Sequence, residues 1–321
     1  MRGLDYLVKR TGFAVITVFV AITINFFLFR VLPGDAVANV ARVPSSTPEL
    51  RHALRVQFGL DKSVWQQYWI YLGQLLHGNL GVSFGNQQPV ADNLRQAFAN
   101  TLPMVTVGTL VAIVVGIATG VLSAVRRHTV ADHVSTNLAI AFYAFPTQFL
   151  GMMLLILFAG VLPSAGMSDP FAVGNPGIVA DLTDLGRHMI LPAATLALTL
   201  YGENTLIVRS AMLETLGEDH VLTARAKGLS RRAIIRKHAL RNAMLPTVTM
   251  IGLSLGSIVS GAILIEVIFS WPGIGSALYQ AVLHRDYPML QGGFLVITVT
   301  VILLNLLADL AYFRLDPRIT A

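Results

Sequence analysis

Six stretches of this sequence stay apolar over about 20 residues or more, the length a helix needs to cross a hydrocarbon core of about 30 Å. They run from Thr11 to Leu32, Leu102 to Val125, Val134 to Leu162, Met189 to Val208, Leu245 to Phe269 and Met289 to Tyr312. In lipid a backbone must satisfy its own hydrogen bonds, so runs of this kind become helices, and the expected fold class is an all-α integral membrane protein. Composition agrees, since 54% of residues are hydrophobic and only 12% charged, outside the range of an ordinary soluble domain.

Charge orders the spans. Arg2, Lys9 and Arg10 precede the first run, Arg126, Arg127 and His128 follow the second, and Arg314 and Arg318 follow the last. The loop from Pro163 to His188 instead carries Asp169, Asp181 and Asp184 against Arg187. The positive-inside asymmetry then predicts six spans, with both termini cytoplasmic. The net charge of +6 is accounted for by orientation in lipid and calls for no nucleic acid. With no cysteine, disulfides and thiolate metal sites are excluded. A cleaved signal peptide ending near Asp35-Ala36-Val37-Ala38 is the alternative for the first run, but a signal core normally has about 7–15 apolar residues. A retained helix is expected.

The domain reading follows. Residues 1–32 form an N-terminal transmembrane helix, 33–100 an ordered extracytoplasmic loop subdomain, 101–313 a core of five helices, and 314–321 a cytoplasmic tail. The loop subdomain holds Trp65, Tyr68, Trp69 and Tyr71, which suit either a substrate platform or amphipathic packing at headgroup level. Within the spans, Gly116 with Gly120, Gly252 with Gly256 and Ser257 with Gly261 have the spacing of close helix packing.

The densest charge interrupts the core between Leu213 and Thr247. Seven of the chain's 23 Lys and Arg residues lie there (Arg225, Lys227, Arg231, Arg232, Arg236, Lys237 and Arg241), against Glu214, Glu218 and Asp219. Local chemistry predicts two short helices, Glu218 to Lys227 and Arg231 to Ala243, joined at Gly228. Acids open the first and cations close it, as the macrodipole favours, and glycine takes the left-handed conformation that ends a helix. Ser230 is placed to cap the second helix, and Pro246 suits the first turn of the next span.

A few polar residues sit inside the spans. Glu203, beside Asn204, is well inside the fourth, where an acid costs on the order of 2.5–3.5 kcal/mol to insert. Two roles are open for it: lining a solute pathway, or a neutral, hydrogen-bonded acid at a helix contact. Arg209 is expected near the cytoplasmic end with its head snorkelling outward. Glu266 and Asp309 lie near span ends, where solvation or pairing is cheap, and Asn25 and Asn305 are expected to bond between helices. No phosphate loop, H-E-x-x-H, G-x-S-x-G or calcium-loop pattern occurs, and the histidines have no partners at metal-ligand spacing. An uphill process would draw its energy from another subunit or from an ion gradient.

The run Thr223-Ala224-Arg225-Ala226-Lys227-Gly228-Leu229-Ser230, then His238-Ala239-Leu240-Arg241-Asn242-Ala243 and Leu245-Pro246, closely resembles the cytoplasmic loop of ABC-importer permeases of the peptide/nickel class. Nearly the whole chain is similar to the first of that class's two permease subunits. Leu32-Pro33-Gly34-Asp35, Phe58-Gly59-Leu60-Asp61, Gly78-Asn79-Leu80-Gly81, Phe269-Ser270-Trp271-Pro272-Gly273-Ile274-Gly275, Arg285-Asp286-Tyr287-Pro288 and Leu315-Asp316-Pro317-Arg318 occur in the matching order. Two departures from the broad importer motif narrow the subfamily: Leu222-Thr223-Ala224 stands where Glu-Ala-Ala is usual, and the gap from Gly228 to Pro246 is longer. Glu203 lies outside the family pattern.

The resemblance implies the type I ABC importer permease fold and no catalytic activity in this chain. It implies pairing with a second, homologous permease, two ATPase domains that hold ATP and Mg, and an extracytoplasmic solute-binding protein, in a bacterial or archaeal cell membrane. It assigns ATPase coupling to Glu218, Asp219, Leu222, Thr223, Ala224, Arg225, Ala226, Lys227, Gly228, Leu229, Ser230 and Arg231. Ala224 and Gly228, four residues apart, would form a small-residue face for docking. Glu203 and Asn204 are the candidate pathway-lining residues. This chain itself is expected to bind no cofactor, and the implied cargo is di- or oligopeptide, with nickel complexes and oligosaccharides open. A proton-coupled secondary transporter using Glu203, or a membrane anchor with no pathway, are the alternatives from other classes.

Overall fold

The computed structural model describes residues 2–31, 62–170 and 177–315. Those residues are helical apart from turns and one isolated bridge between Val82 and Pro89. The centre of the molecule is a pair of long helices, α3 (Val90–Val125) and α6 (Ile178–Leu216), packed against each other along much of their length. Buried residues on α3 recur every three or four positions, through Val90, Leu94, Ala97, Thr101, Met104, Gly108, Ala112, Gly116 and Gly120. That spacing marks one face of a helix. Along it the glycines let the backbones meet: a Cβ on Gly116 would lie 2.6 Å from Asn204 Cβ, and one on Gly120 2.8 Å from Thr205 O. The expected close packing at Gly116 and Gly120 is therefore present, on α6. Gly261 faces open space, and the side chains at 252, 256 and 257 lie outside the described residues.

Helix α1 (Arg2–Val31) joins the bundle along α10 (Tyr287–Leu315). Asn25 Nδ2 donates to Gln291 O at 2.9 Å, the interhelical role expected of it, and Arg10 pairs with Asp309 at 2.8 Å, so of the two roles open to Asp309 it takes pairing. Asn305 departs from that expectation: it is exposed and bonds no neighbour among the described residues. Phe13, Ile16 and Phe19 of α1 are exposed, as a lipid-facing helix requires.

Of the segment expected as an outer loop, residues 33–61 lie outside the described residues, and much of the rest is helical. Ser63 caps α2 (Val64–Leu76) in a capping box with Gln66. Buried Tyr68 reaches Thr23 Oγ1 at 2.7 Å and packs on Phe26 and Phe27, with Trp65 and Trp69 on the exposed rim. The aromatic cluster is thus a packing seam between α2 and α1. Residues 90–100 are the first turns of α3: Asp92, Arg95 and Gln96 face out while Val90, Leu94 and Ala97 face the core.

The third apolar run is two helices, α4 (Val130–Ala144) and α5 (Thr147–Leu157), bent by 106°. Pro146 forces the break, because it has no N–H to give and pushes Phe145 into extended backbone at φ −74°, ψ 132°. Three described helices are long and apolar enough to cross a membrane, at Val8–Phe29, Val90–Val125 and Tyr287–Leu310, and the bent pair makes a fourth if it is one span.

At one end of the bundle, the loop after α8 (Leu240–Ile268) is locked onto α3. Glu266 is fully buried rather than solvated. It accepts from Thr101 Oγ1 at 2.6 Å, from Gly275 N at 2.6 Å and from Ser276 N at 3.2 Å. The carboxyl oxygens thus hold the N-terminus of α9 (Ile274–His284) by accepting from N–H groups that have no partner within the helix. Glycine is required at 273, since a Cβ there would collide with the Glu266 carboxyl. Trp271 Nε1 donates to Asn100 O at 2.8 Å, and Asn100 Nδ2 returns to Pro272 O at 2.9 Å. Nearby, buried Asp286 caps α10 through Met289 N at 3.2 Å and also accepts from Ser83 Oγ at 2.5 Å and Gly85 N at 3.1 Å.

Candidate coupling site

At the opposite end lies the basic corner. Its first helix, α7, runs Asp219–Ala226, close to the predicted bounds. Gly228 has φ +75°, and two hydrogen bonds close the end: Gly228 N to Arg225 O at 2.9 Å and Leu229 N to Ala224 O at 3.3 Å. This pair of bonds is the Schellman arrangement. A Cβ on Gly228 would meet nothing within 4 Å, so backbone conformation rather than space requires glycine here. Ser230 then accepts from Ala233 N at 3.4 Å and opens the next helical turn, Arg231–Ala233.

The second half of the corner differs from expectation. The chain passes through a π-helical turn, Ile234–Ala239, straight into α8 (Leu240–Ile268), so it stays helical through Pro246 and no separate helix ends at Ala243. The wider turn re-aims the segment without ending the helix.

The corner is anchored from within. Val221, Ala224 and Ile234 form a small buried cluster. Ala224 is only 3% exposed, so its methyl faces inward and it shares no outward face with Gly228. Its small size is explained by the close approach of α7 to the π-turn. The outward ridge consists of Leu222, Thr223, Ala226, Lys227 and Gly228, with Leu222 52% exposed. Glu218 pairs with His220 Nδ1 at 3.0 Å, and His220 Nε2 lies 3.1 Å from Asn242 Nδ2, tying the start of α7 to α8. Arg231 donates to Val125 O at 2.7 Å and so satisfies a carbonyl at the end of α3. Asp219, Arg225 and Leu229 are exposed beside these contacts.

Behind the corner, Arg209 does not snorkel outward. Its Nε donates to Asp132 Oδ1 at 2.9 Å and to Ser123 Oγ at 2.9 Å, and a terminal nitrogen reaches Asp132 Oδ2 at 3.2 Å. Asp132 also accepts from Ser123 Oγ at 2.5 Å, His128 N at 3.0 Å and Thr136 Oγ1 at 3.2 Å. One ion pair thereby joins α3, α4 and α6 just behind the corner. Sequence reasoning passed over Asp132 because its partner is 77 residues away, although an arginine inside an apolar run is itself a signal that a carboxylate lies near.

Glu203 and Asn204 occupy the middle of α6, both half-buried. Asn204 packs against Gly116, and Glu203 has no hydrogen-bond or ion-pair partner among the described residues. On the neighbouring position, Gly202 is pressed against Ala139 O and Tyr143, which fixes α4 on this stretch of α6.

Comparison with known proteins assigns a family to this helical bundle, in which a capped, glycine-ended corner closes one end of two long central helices. The chain belongs to the binding-protein-dependent transport system inner membrane component family, matched over residues 112–321, with the N-terminal component of such systems matched over residues 3–105. It is 42% identical over 335 residues to the dipeptide transport system permease protein DppB of Escherichia coli strain K12, covering 98% of each chain. Identity is 37% over 331 residues to the di/tripeptide transport system permease protein DppB of Pseudomonas aeruginosa strain UCBPP-PA14, again with 98% of each covered. The E. coli K12 glutathione transport system permease protein GsiC is 34% identical over 319 residues, covering 98% of this chain and 99% of GsiC. In fold, the chain matches the inward-facing MetNI methionine ABC transporter with a TM-score of 0.56 at 18% identity, over 70% of this chain and 96% of that one. It is a multi-pass membrane permease of the ABC-importer class.

Proposed function

We propose that this chain is the first permease subunit of an ATP-driven importer for di- or oligopeptides in a bacterial or archaeal cell membrane, with six spans and both termini cytoplasmic. End-to-end identity of 42% with a dipeptide permease carries the cargo class, and a glutathione permease among the relatives fits it, glutathione being a tripeptide. The corner from Glu218 to Arg231 docks on a cytoplasmic ATPase. Its outward ridge, Leu222, Thr223, Ala226, Lys227 and Gly228, is the contact, and the inward cluster of Val221, Ala224 and Ile234 transmits the movement to α8. The chain performs no catalysis and holds no cofactor; ATP and Mg belong to two partner ATPase domains. A second, homologous permease completes the pathway, which Glu203 and Asn204 line, and an extracytoplasmic binding protein delivers cargo.

Co-expression with its ATPase and permease partners tests the reading. A stable complex whose ATP hydrolysis is stimulated by a peptide-loaded binding protein is the expected result. Transport by this chain alone, driven by a proton gradient, would overturn it.

A further inference from the structure

Between the corner and the ends of the two central helices lies a cavity of about 750 Å³. Three arginines, Arg127, Arg225 and Arg231, line it, and no Asp or Glu does among the described residues. Much of the remaining wall is apolar, including Leu216, Ile234 and Ile235. We propose that this cavity binds an anionic phospholipid of the cytoplasmic leaflet, its phosphate among the three arginines and the start of its acyl chains on the apolar wall. The inference rests on the cytoplasmic placement of the corner proposed above.

Position and chemistry both select a lipid. The cavity includes Val125, where the apolar run that begins at Leu102 ends against Arg126 and Arg127, so on the proposed topology it lies at headgroup level. Basic pockets at that level on the cytoplasmic side bind anionic headgroups. Arg231 spends one donor on Val125 O and keeps the rest of its five N–H groups for a ligand. A free phosphate would leave the apolar wall uncovered. An ATPase meets a different side of α7: at about 100° per residue, Arg225 flanks the buried edge formed by Val221 and Ala224, while Leu222 and Ala226 lie further round on the exposed ridge. The lipid would therefore act as a wedge behind the docking helix.

The test uses the assembled importer, purified in detergent from a mixture of phosphatidylglycerol and phosphatidylcholine, with the retained phospholipid quantified by native mass spectrometry. Phosphatidylglycerol should be enriched in the wild-type complex. Arg127→Gln should lower that enrichment about fivefold, the effect of one arginine near a charged surface, and Arg127→Lys should restore most of it. Equal retention of both lipids, or an enrichment untouched by Arg127→Gln, overturns the proposal. So does displacement of the lipid by glycerol phosphate, which would make the ligand a bare phosphate, or an enrichment seen only in the permease subunits stripped of their ATPase, which would make the occupant of the assembled importer protein. Because the chain has no cysteine, Arg127→Cys reports orientation separately. Labelling from the cytoplasmic face is expected; labelling from outside would overturn the topology itself rather than only the lipid site.

Discussion

Arg209 Nε on α6 lies 2.9 Å from Asp132 Oδ1 on α4, and the same carboxylate takes Ser123 Oγ at the end of α3. Three helices thus share one buried charge at the level where the corner begins. Removing one partner of such a pair leaves the other uncompensated and costs about 3–5 kcal/mol. Asp132 is buried and Arg209 about a quarter exposed, so Arg209→Met should be the more damaging change, because it strands the buried anion. The thermal midpoint of the purified subunit should fall for each single substitution and recover in part in Asp132→Leu with Arg209→Met. Additive losses in that cycle would show that the two residues act independently.

Gly202 gives a test of packing rather than charge. Its backbone presses on Ala139 O and the Tyr143 backbone, so the methyl group of Gly202→Ala has no room unless α4 shifts. Overpacking of this kind costs about 1–3 kcal/mol. Lower thermal stability is expected, while Gly261→Ala, where a Cβ meets nothing, should leave it unchanged. Equal behaviour of the two variants would mean that α4 does not sit on α6 as described.

At Gly228 the expected effect is conformational. A β-branched residue at φ +75° is strained by about 1–3 kcal/mol, whereas asparagine tolerates the left-handed region. Gly228→Val should therefore loosen the end of α7 and raise the ATP hydrolysed per peptide imported. Gly228→Asn should stay close to wild type. Since a Cβ here meets only open space within the chain, a defect in the asparagine variant as well would point to crowding by the docked partner instead.

How far the sequence alone reaches can be judged residue by residue. Gly228 and Ser230 were legible because their roles are local: a helix end and a helix start depend on neighbours within four positions. Gly116 and Gly120 were legible from spacing, though not their partner helix. The bend at Phe145 and Pro146 was hidden by uniform hydropathy, which does not register a proline's missing N–H. Likewise, the polar residues after Pro89 masked the first turns of α3, because Asp92, Arg95 and Gln96 dominate composition while Val90, Leu94 and Ala97 set the buried face. Pairings across long separations were out of reach: Glu266 with Thr101 lies 165 positions apart and Arg209 with Asp132 77. The inward turn of Ala224 belongs with these, since it depends on how closely the π-turn at Ile234 returns.

Glu203 separates structure from pathway. With six spans, as proposed, Glu203 lies at mid-membrane, where an acid costs on the order of 2.5–3.5 kcal/mol to insert, and no hydrogen bond or ion pair among the described residues offsets it. Among this chain's described residues a structural role has no partner to act through. Glu203→Leu should therefore keep or raise the thermal midpoint of the subunit, because it removes the cost and breaks no described contact. Uptake should fall in Glu203→Leu and in Glu203→Gln while assembly with the ATPase stays intact, as expected of a group that meets the solute. A loss of stability in Glu203→Leu together with normal uptake in Glu203→Gln would return this residue to a structural role.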